Sequence, residues 1–254
     1  MLNDVKGLNG AARTYISDGK AAEAIPLFMK AVSIQERLPQ QDSNRLASQH
    51  ELGWAYLENG QVPEAIQILE KVMNTRAEFL DENHPDRLES QHELAFAYAQ
   101  SGQAPHAIRL LEHVVAAEET ILGETHRRRL TSQHELARAY LANGQVSEAI
   151  KLIDHVVAVK QSRFDKSEPH LLESQIVLAV AQMTDGRASD AVKMLERVVA
   201  VADASFSEHD KLRIDSREWL NFARRQRYEM GFLPHAGGPR IFSNFGQKRT
   251  SGRA

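Results

Sequence analysis

The sequence predicts an all-α solenoid of about five helix pairs closed by a C-terminal capping helix, and three observations carry that prediction. The chain repeats itself: Ser48-Gln49-His50-Glu51-Leu52 recurs 42 residues on at Ser90 to Leu94 and again at Ser132 to Leu136, and Ser174-Gln175-Ile176-Val177-Leu178 keeps the register. Tyrosines 56, 98 and 140, glycines 60, 102, 144 and 186, and alanines 65, 107, 149 and 191 hold the same step, while a step of 41 brings in an earlier copy with Tyr15, Gly19 and Ala24. Each unit carries two apolar stripes of helical period. A composition with 6% aromatic residues and no cysteine, rich in Ala, Leu, Glu and Gln, favours helix over strand.

The elements follow in order. In the second unit Leu46, Gln49, Leu52, Gly53 and Tyr56 form the stripe of a first helix, and Ala65, Ile66, Leu69, Val72 and Met73 that of a second. Gly60 stands where the first helix ends in a conformation glycine tolerates, and Pro63 suits the opening turn of the next, where no amide donor is needed. The second helix runs to about Leu80 and stops at Asp81-Glu82-Asn83-His84-Pro85-Asp86, with Pro85 placed to open the following helix. The expected array covers residues 1–230, with units at about 2–40, 45–86, 87–128, 129–170 and 171–212. Ser216 opens a sixth, incomplete copy, so 213–230 reads as the capping helix, with Ile214, Trp219, Leu220 and Phe222 for packing and Arg217, Arg224, Arg225 and Arg227 for its outer surface. Beyond Gly231 the period ends and Gly, Pro and Ser become dense, so 231–254 reads as a disordered basic tail.

Composition bounds the function. A hydrophobic fraction of 42% is ample for a packed core, and the absence of cysteine excludes disulfides and cysteine zinc sites. The opening MLNDVKGLNG lacks the apolar run of a signal peptide, and no segment approaches a membrane span, so a cytoplasmic protein is expected. The net charge is −3, and the four basic residues of the tail, unaccompanied by any acid, leave −7 for the rest. An acidic body argues against a nucleic-acid surface.

The pattern Leu-Gly/Ala-x-x-Tyr-x-x-x-Gly-x-x-x-x-Ala, as in Leu52, Gly53, Tyr56, Gly60 and Ala65, resembles the tetratricopeptide repeat. The 42-residue step and the His84-Pro85-Asp86 connector look like its kinesin-light-chain type, and the segment from Glu23 to Arg37, with its interior Pro26, is close to that type's second helix. The resemblance covers roughly residues 2–230 and implies a right-handed superhelical solenoid whose first helices line a concave groove. The SQHELAxAY units are also similar to the repeat tails of fungal nucleotide-binding NTPase sensor proteins. The sequence lacks a G-x-x-x-x-G-K-[ST] segment, so nucleotide hydrolysis is not expected of it. Where kinesin light chains carry paired asparagines, this chain has His50-Glu51, His92-Glu93 and His134-Glu135.

The resemblance places His50 and Trp54 in the groove, and the equivalent positions give Asn9 and Arg13, His92 and Phe96, and His134 and Arg138. These side chains form a stripe roughly 100° from the core stripe. The expected ligand is a protein or peptide with an apolar anchor for Trp54 and Phe96 and acidic flanks for Arg13 and Arg138. If the histidines line the groove, affinity varies between about pH 5 and 8. The competing reading has Trp54 and Phe96 packing between successive first helices, with the histidines merely copied by duplication.

No metal, cofactor or catalysis is expected. His-Glu occurs three times, but the second histidine of H-E-x-x-H is replaced by Trp54, Phe96 and Arg138, and neighbouring first helices lie too far apart for histidines to share one zinc ion. Arg127-Arg128-Arg129 and Arg224-Arg225-Gln226-Arg227 read as a solvated turn and helix end, and Ile241-Phe242-Ser243-Asn244-Phe245 as tail sequence or a short docking segment. The predicted function is a non-enzymatic interaction scaffold or adaptor. The alternative is the detached sensor region of a nucleotide-binding NTPase-type regulatory protein.

Overall fold

The structure, a computed structural model, describes residues 2–228. These form eleven helices: α1 (Leu2–Ser17), α2 (Ala21–Gln35), α3 (Ser43–Glu58), α4 (Val62–Phe79), α5 (Pro85–Gln100), α6 (Ala104–Ile121), α7 (Arg127–Ala142), α8 (Val146–Arg163), α9 (Pro169–Thr184), α10 (Ala188–Ser205) and α11 (Lys211–Tyr228). There is no strand among the described residues. The fold is the predicted all-α solenoid of helix pairs. The expected tail, 231–254, lies outside the described residues, as do its basic residues and its Ile241 to Phe245 segment.

The repeated punctuation has a local physical cause. Each first helix ends in a glycine with φ between 72° and 81°, a region in which a side chain would strain the backbone. At Gly60 the chain closes a Schellman turn: its amide donates to the Leu57 carbonyl (3.0 Å) and the Gln61 amide reaches back to Tyr56 (2.8 Å). The starts of first helices α3, α5 and α7 are capped by side chains, whereas α2, α4, α8, α9 and α10 have no side-chain cap. Asp42 Oδ1 accepts from the Asn44 and Arg45 amides (3.0 Å each), while His84 and His126 use Nδ1 to accept from the amides of Asp86 and Arg128 (3.2 Å each). Pro85 occupies the opening turn of α5, as its missing amide proton allows.

The described residues fall into two compact units that divide after Val114. In the first, α1 to α5 pack each on the next, and first helices α1, α3 and α5 also touch in succession. One cluster joins Trp54, Leu57, Leu69, Leu94 and Phe96; another joins Ala12, Phe28, Leu52 and Ala55. In the second unit α7 to α11 pack likewise around Leu130, Ile153, Ile176, Leu195 and Trp219. Helices α3 and α9 are therefore walled in by a second helix on each side and by the first helices before and after them. Second helices bury a single stripe, in α4 only Ala65, Leu69, Val72 and Arg76.

Candidate functional site

The repeated serine marks a buried junction of three helices. Ser48, Ser90, Ser132, Ser174 and Ser216 are all fully buried. A buried hydroxyl needs partners, and neighbouring helices supply them at Ser48, Ser90 and Ser174, whereas Ser216 bonds the Arg213 carbonyl of its own helix and Ser132 Oγ has no hydrogen-bond partner. In the first unit the Asn9 amide donates from α1 to Ser48 Oγ on α3 (2.9 Å), and Arg76, buried on α4, donates to Ser90 Oγ (2.6 Å) and to the Asp86 carbonyl (2.7 Å) of α5. In the second unit Lys160 of α8 donates to Ser174 Oγ (2.9 Å) and to the His170 carbonyl (3.0 Å), and His134 Nδ1 of α7 lies 3.0 Å from the same hydroxyl. Burial lowers the Arg76 pKa, opposed by Asp86 and Glu89. It pushes Lys160 down to about 8, opposed by Glu173, Glu135 and Glu168.

The predicted groove residues lie on and around these junctions. Arg13 is exposed and meets Glu51 at 3.3 Å. His50 is buried and His92 half-buried. Trp54 and Phe96 are only 3% and 7% exposed, with ring centroids 6.2 Å apart and planes tilted by 32°. His134 is 6% exposed. Arg138 is 3% exposed, and its Nη1 meets both Glu135 oxygens at 3.0 Å.

Accessibility is where the expectation needs correction. Trp54, Phe96, His50, His134 and Arg138 are not open surface: neighbouring helices have already taken them out of water. The two arginines expected to await ligand carboxylates have internal ones, loosely for Arg13 and in the interior for Arg138. His134 is held well below the ordinary histidine range, first by burial and then by the charges of Lys160, Arg138 and His170.

The Arg127-Arg128-Arg129 run is a helix end, the first turn of α7, with Arg127 largely exposed. Three cations in the first turn of a helix oppose its dipole, and each has a compensating partner. Arg127 meets Glu168 (3.0 Å) and lies 4.7 Å over the Phe164 ring, Arg128 meets the fully buried Glu118 (2.7 Å), and Arg129 meets Glu119 (3.5 Å) and the Leu122 carbonyl (3.3 Å). This last contact is periodic. Arg45, Arg87 and Arg213 tie the carbonyls of Leu38, Leu80 and Phe206 in the same way, each seven residues back. The 42-residue recurrence of an arginine at 45, 87 and 129 was the available sequence signal for this staple. At the other arginine cluster, Arg224 pairs with Glu196 (2.9 Å).

Chemically, Ser174, His134 and Lys160 contain the groups of a nucleophile with two bases, but Ser174 has no exposed surface and its hydroxyl donates to the His170 carbonyl (2.9 Å). No substrate reaches that oxygen, so the cluster is structural. On α3 and α5 the half-buried polar groups include Glu51, Glu58, Glu89, His92 and Gln100, and α1 is largely exposed. The second unit adds a shallow depression of about 720 Å³ between the end of α8, its connector and α10, lined by Phe164, Asp165, Lys166, Val201 and Ser205.

Comparison with known proteins gives a consistent result. The sequence profile described as the tetratricopeptide repeat matches residues 6–78, 55–120 and 86–162. The solved structure of a Podosopora anserina chain, described as a candidate kinesin light chain with nearly identical TPR-like repeats, is 45% identical, with a TM-score of 0.69 over 80% of this chain and 97% of that one. BtubC from P. vanneervenii is similar in fold alone, at 17% identity and a TM-score of 0.67 over 82% of this chain and 84% of that one. So is the stretch from residue 41 to the end of MamA from Desulfovibrio magneticus RS-1, at 16% identity and 0.57 over 80% and 98%. No curated protein matches the sequence. Among the described residues, no helix is long and apolar enough to cross a membrane.

Proposed function

This chain belongs to the tetratricopeptide repeat family, and from that premise we propose that it is a non-enzymatic scaffold holding a partner protein or peptide along the first-helix margin of residues 2–114. One observation carries the reading: the buried junctions consume interior side chains of the first helices, while Glu51, Glu58, Glu89, His92 and Gln100 remain in reach of solvent on α3 and α5. Packed helices bearing an accessible polar margin suit an extended or helical peptide. The ligand we propose has an apolar anchor and acidic flanks, the anchor meeting only the small part of Trp54 and Phe96, 3% and 7%, that neighbouring helices leave uncovered. Of its acidic flanks, the one beside Arg13 meets an exposed guanidinium whose present ion pair is weak; an acidic group near Arg138 would have to compete with Glu135.

The test is selection of a peptide from a random library on the full chain, followed by affinity measurements. Arg13→Ala, which leaves the core untouched, weakens binding at least tenfold. Glu64→Gln and Lys71→Ala, exposed on second helix α4, change it less than twofold. Equal effects from Arg13→Ala and the α4 variants would remove the first-helix margin from the mechanism. A natural partner that proved to be a nucleotide-binding NTPase would assign the chain the sensor role its repeats resemble.

A further inference from the structure

We propose that the junction of α7, α8 and α9 is an acid-sensitive latch, in which protonation of His134 adds a positive charge to a closed space already holding Lys160 and Arg138 and releases α9 from its neighbours.

The hydrogen bonds around Ser174 fix where the proton goes. Its single hydrogen is donated to the His170 carbonyl (2.9 Å), and its oxygen accepts from Lys160 Nζ (2.9 Å). His134 Nδ1, at 3.0 Å, therefore carries a hydrogen and donates it, which leaves Nε2 as the bare nitrogen that acid protonates. The charged and titratable groups facing it come from all three elements: Arg138 and Glu135 on α7, Lys160 on α8, His170 and Glu173 on α9. Both nearby carboxylates are already engaged by other groups, so they offset a new charge only in part. Glu135 is 4.0 Å from Nε2 and engages Arg138 through both oxygens, and Glu173 takes His170 Nδ1 at 3.1 Å. Burial and the neighbouring cations hold the imidazole neutral in the folded chain, well below the pKa of about 6.5 it regains on unfolding.

The sign follows from which state binds the proton. Below about pH 6.5 the unfolded chain takes it and the folded chain does not, so the stability contributed by neutral His134 is complete above that pH and is lost as pH falls. The first junction shows that the hydrogen bond alone does not require a histidine, since Asn9 serves Ser48 with a neutral amide. A titratable ring at 134 thus adds pH dependence to a contact that an amide can make.

The test uses the full chain in a Trp54→Phe background, so that Trp219 reports the second unit. Urea unfolding is followed at pH 6.5 and 5.0, with and without His134→Asn. Each pH unit below this window's upper end is worth up to tenfold in the folding constant, and the unfolded ring is already half protonated at about pH 6.5, so the histidine chain is expected to lose about 15-fold more than the asparagine chain. Parallel losses in the two chains overturn the proposal. Should His134→Asn fail to fold, the assigned His134 ring resonance of the wild-type chain decides: a ring that stays neutral at pH 5 supports the latch, and one that titrates near 6.5 in the folded chain overturns it.

Discussion

Replacing Trp54 by alanine should unfold more than it unbinds. The indole is 3% exposed, packs with Leu57, Leu69 and Leu94, and faces the Phe96 ring at 6.2 Å. Truncating a tryptophan so enclosed costs about 3–5 kcal/mol, the transfer free energy and the residual cavity combined. The offset aromatic contact contributes about 0.5–1.5 kcal/mol beyond burial, and this part is separable. A double-mutant cycle of Trp54→Ala, Phe96→Ala and the pair isolates it as the coupling energy, measured by urea unfolding monitored by circular dichroism. The account predicts a large loss for each single variant, a coupling near 1 kcal/mol, and near-normal ligand affinity for Trp54→Phe, which keeps the apolar edge. A loss below about 1 kcal/mol for Trp54→Ala, with no coupling, would show that the ring is not a packing element and refute the burial argument.

Three further outcomes are expected. Gly144→Ala places a side chain at φ 78° and should cost about 1–2 kcal/mol in thermal or chemical unfolding, although a Cβ there meets no neighbouring atom within 4 Å. Arg138→Leu leaves Glu135 in the interior without its arginine and should destabilise by about 3–5 kcal/mol, while the further change Glu135→Leu should recover much of that loss, as read from urea midpoints. Lys160, with its pKa pushed down to about 8 against 10.5 when exposed, binds its proton less readily folded than unfolded; stability should therefore rise about tenfold in folding constant between pH 7 and 9, and Lys160→Met should abolish that rise.

The second helices were legible in the sequence because each buries one stripe. In α4 the predicted Ala65, Leu69 and Val72 are the buried apolar residues, with Ile66 and Met73 half-buried at the margin, and the helix ends one residue before the expected Leu80. Glycine and proline punctuation placed the turns because φ and the missing proline amide are properties of single residues. The first helices defeated the same method. A helical wheel assumes one buried face, whereas α3 buries Leu46, Ser48, Gln49, His50, Leu52, Gly53, Trp54, Ala55 and Leu57, most of its circumference. Gln49 lies on the predicted stripe, but Ser48 and His50 fall outside it, and the burial of the repeated serine at 48, 90 and 174 becomes intelligible only once Asn9, Arg76 and Lys160 arrive from neighbouring helices. Of the predicted site residues, Arg13 is exposed, whereas Trp54 and Phe96 pack against each other between α3 and α5.

Hydrogen–deuterium exchange of the full chain, with and without a saturating selected peptide, tests the central claim most directly. If the first-helix margin holds the partner, protection on binding concentrates in α3 and α5, over residues 44–58 and 86–100, and leaves the exposed face of α4 unchanged. Protection confined to α4, or to the depression beside Phe164 and Val201, would contradict it.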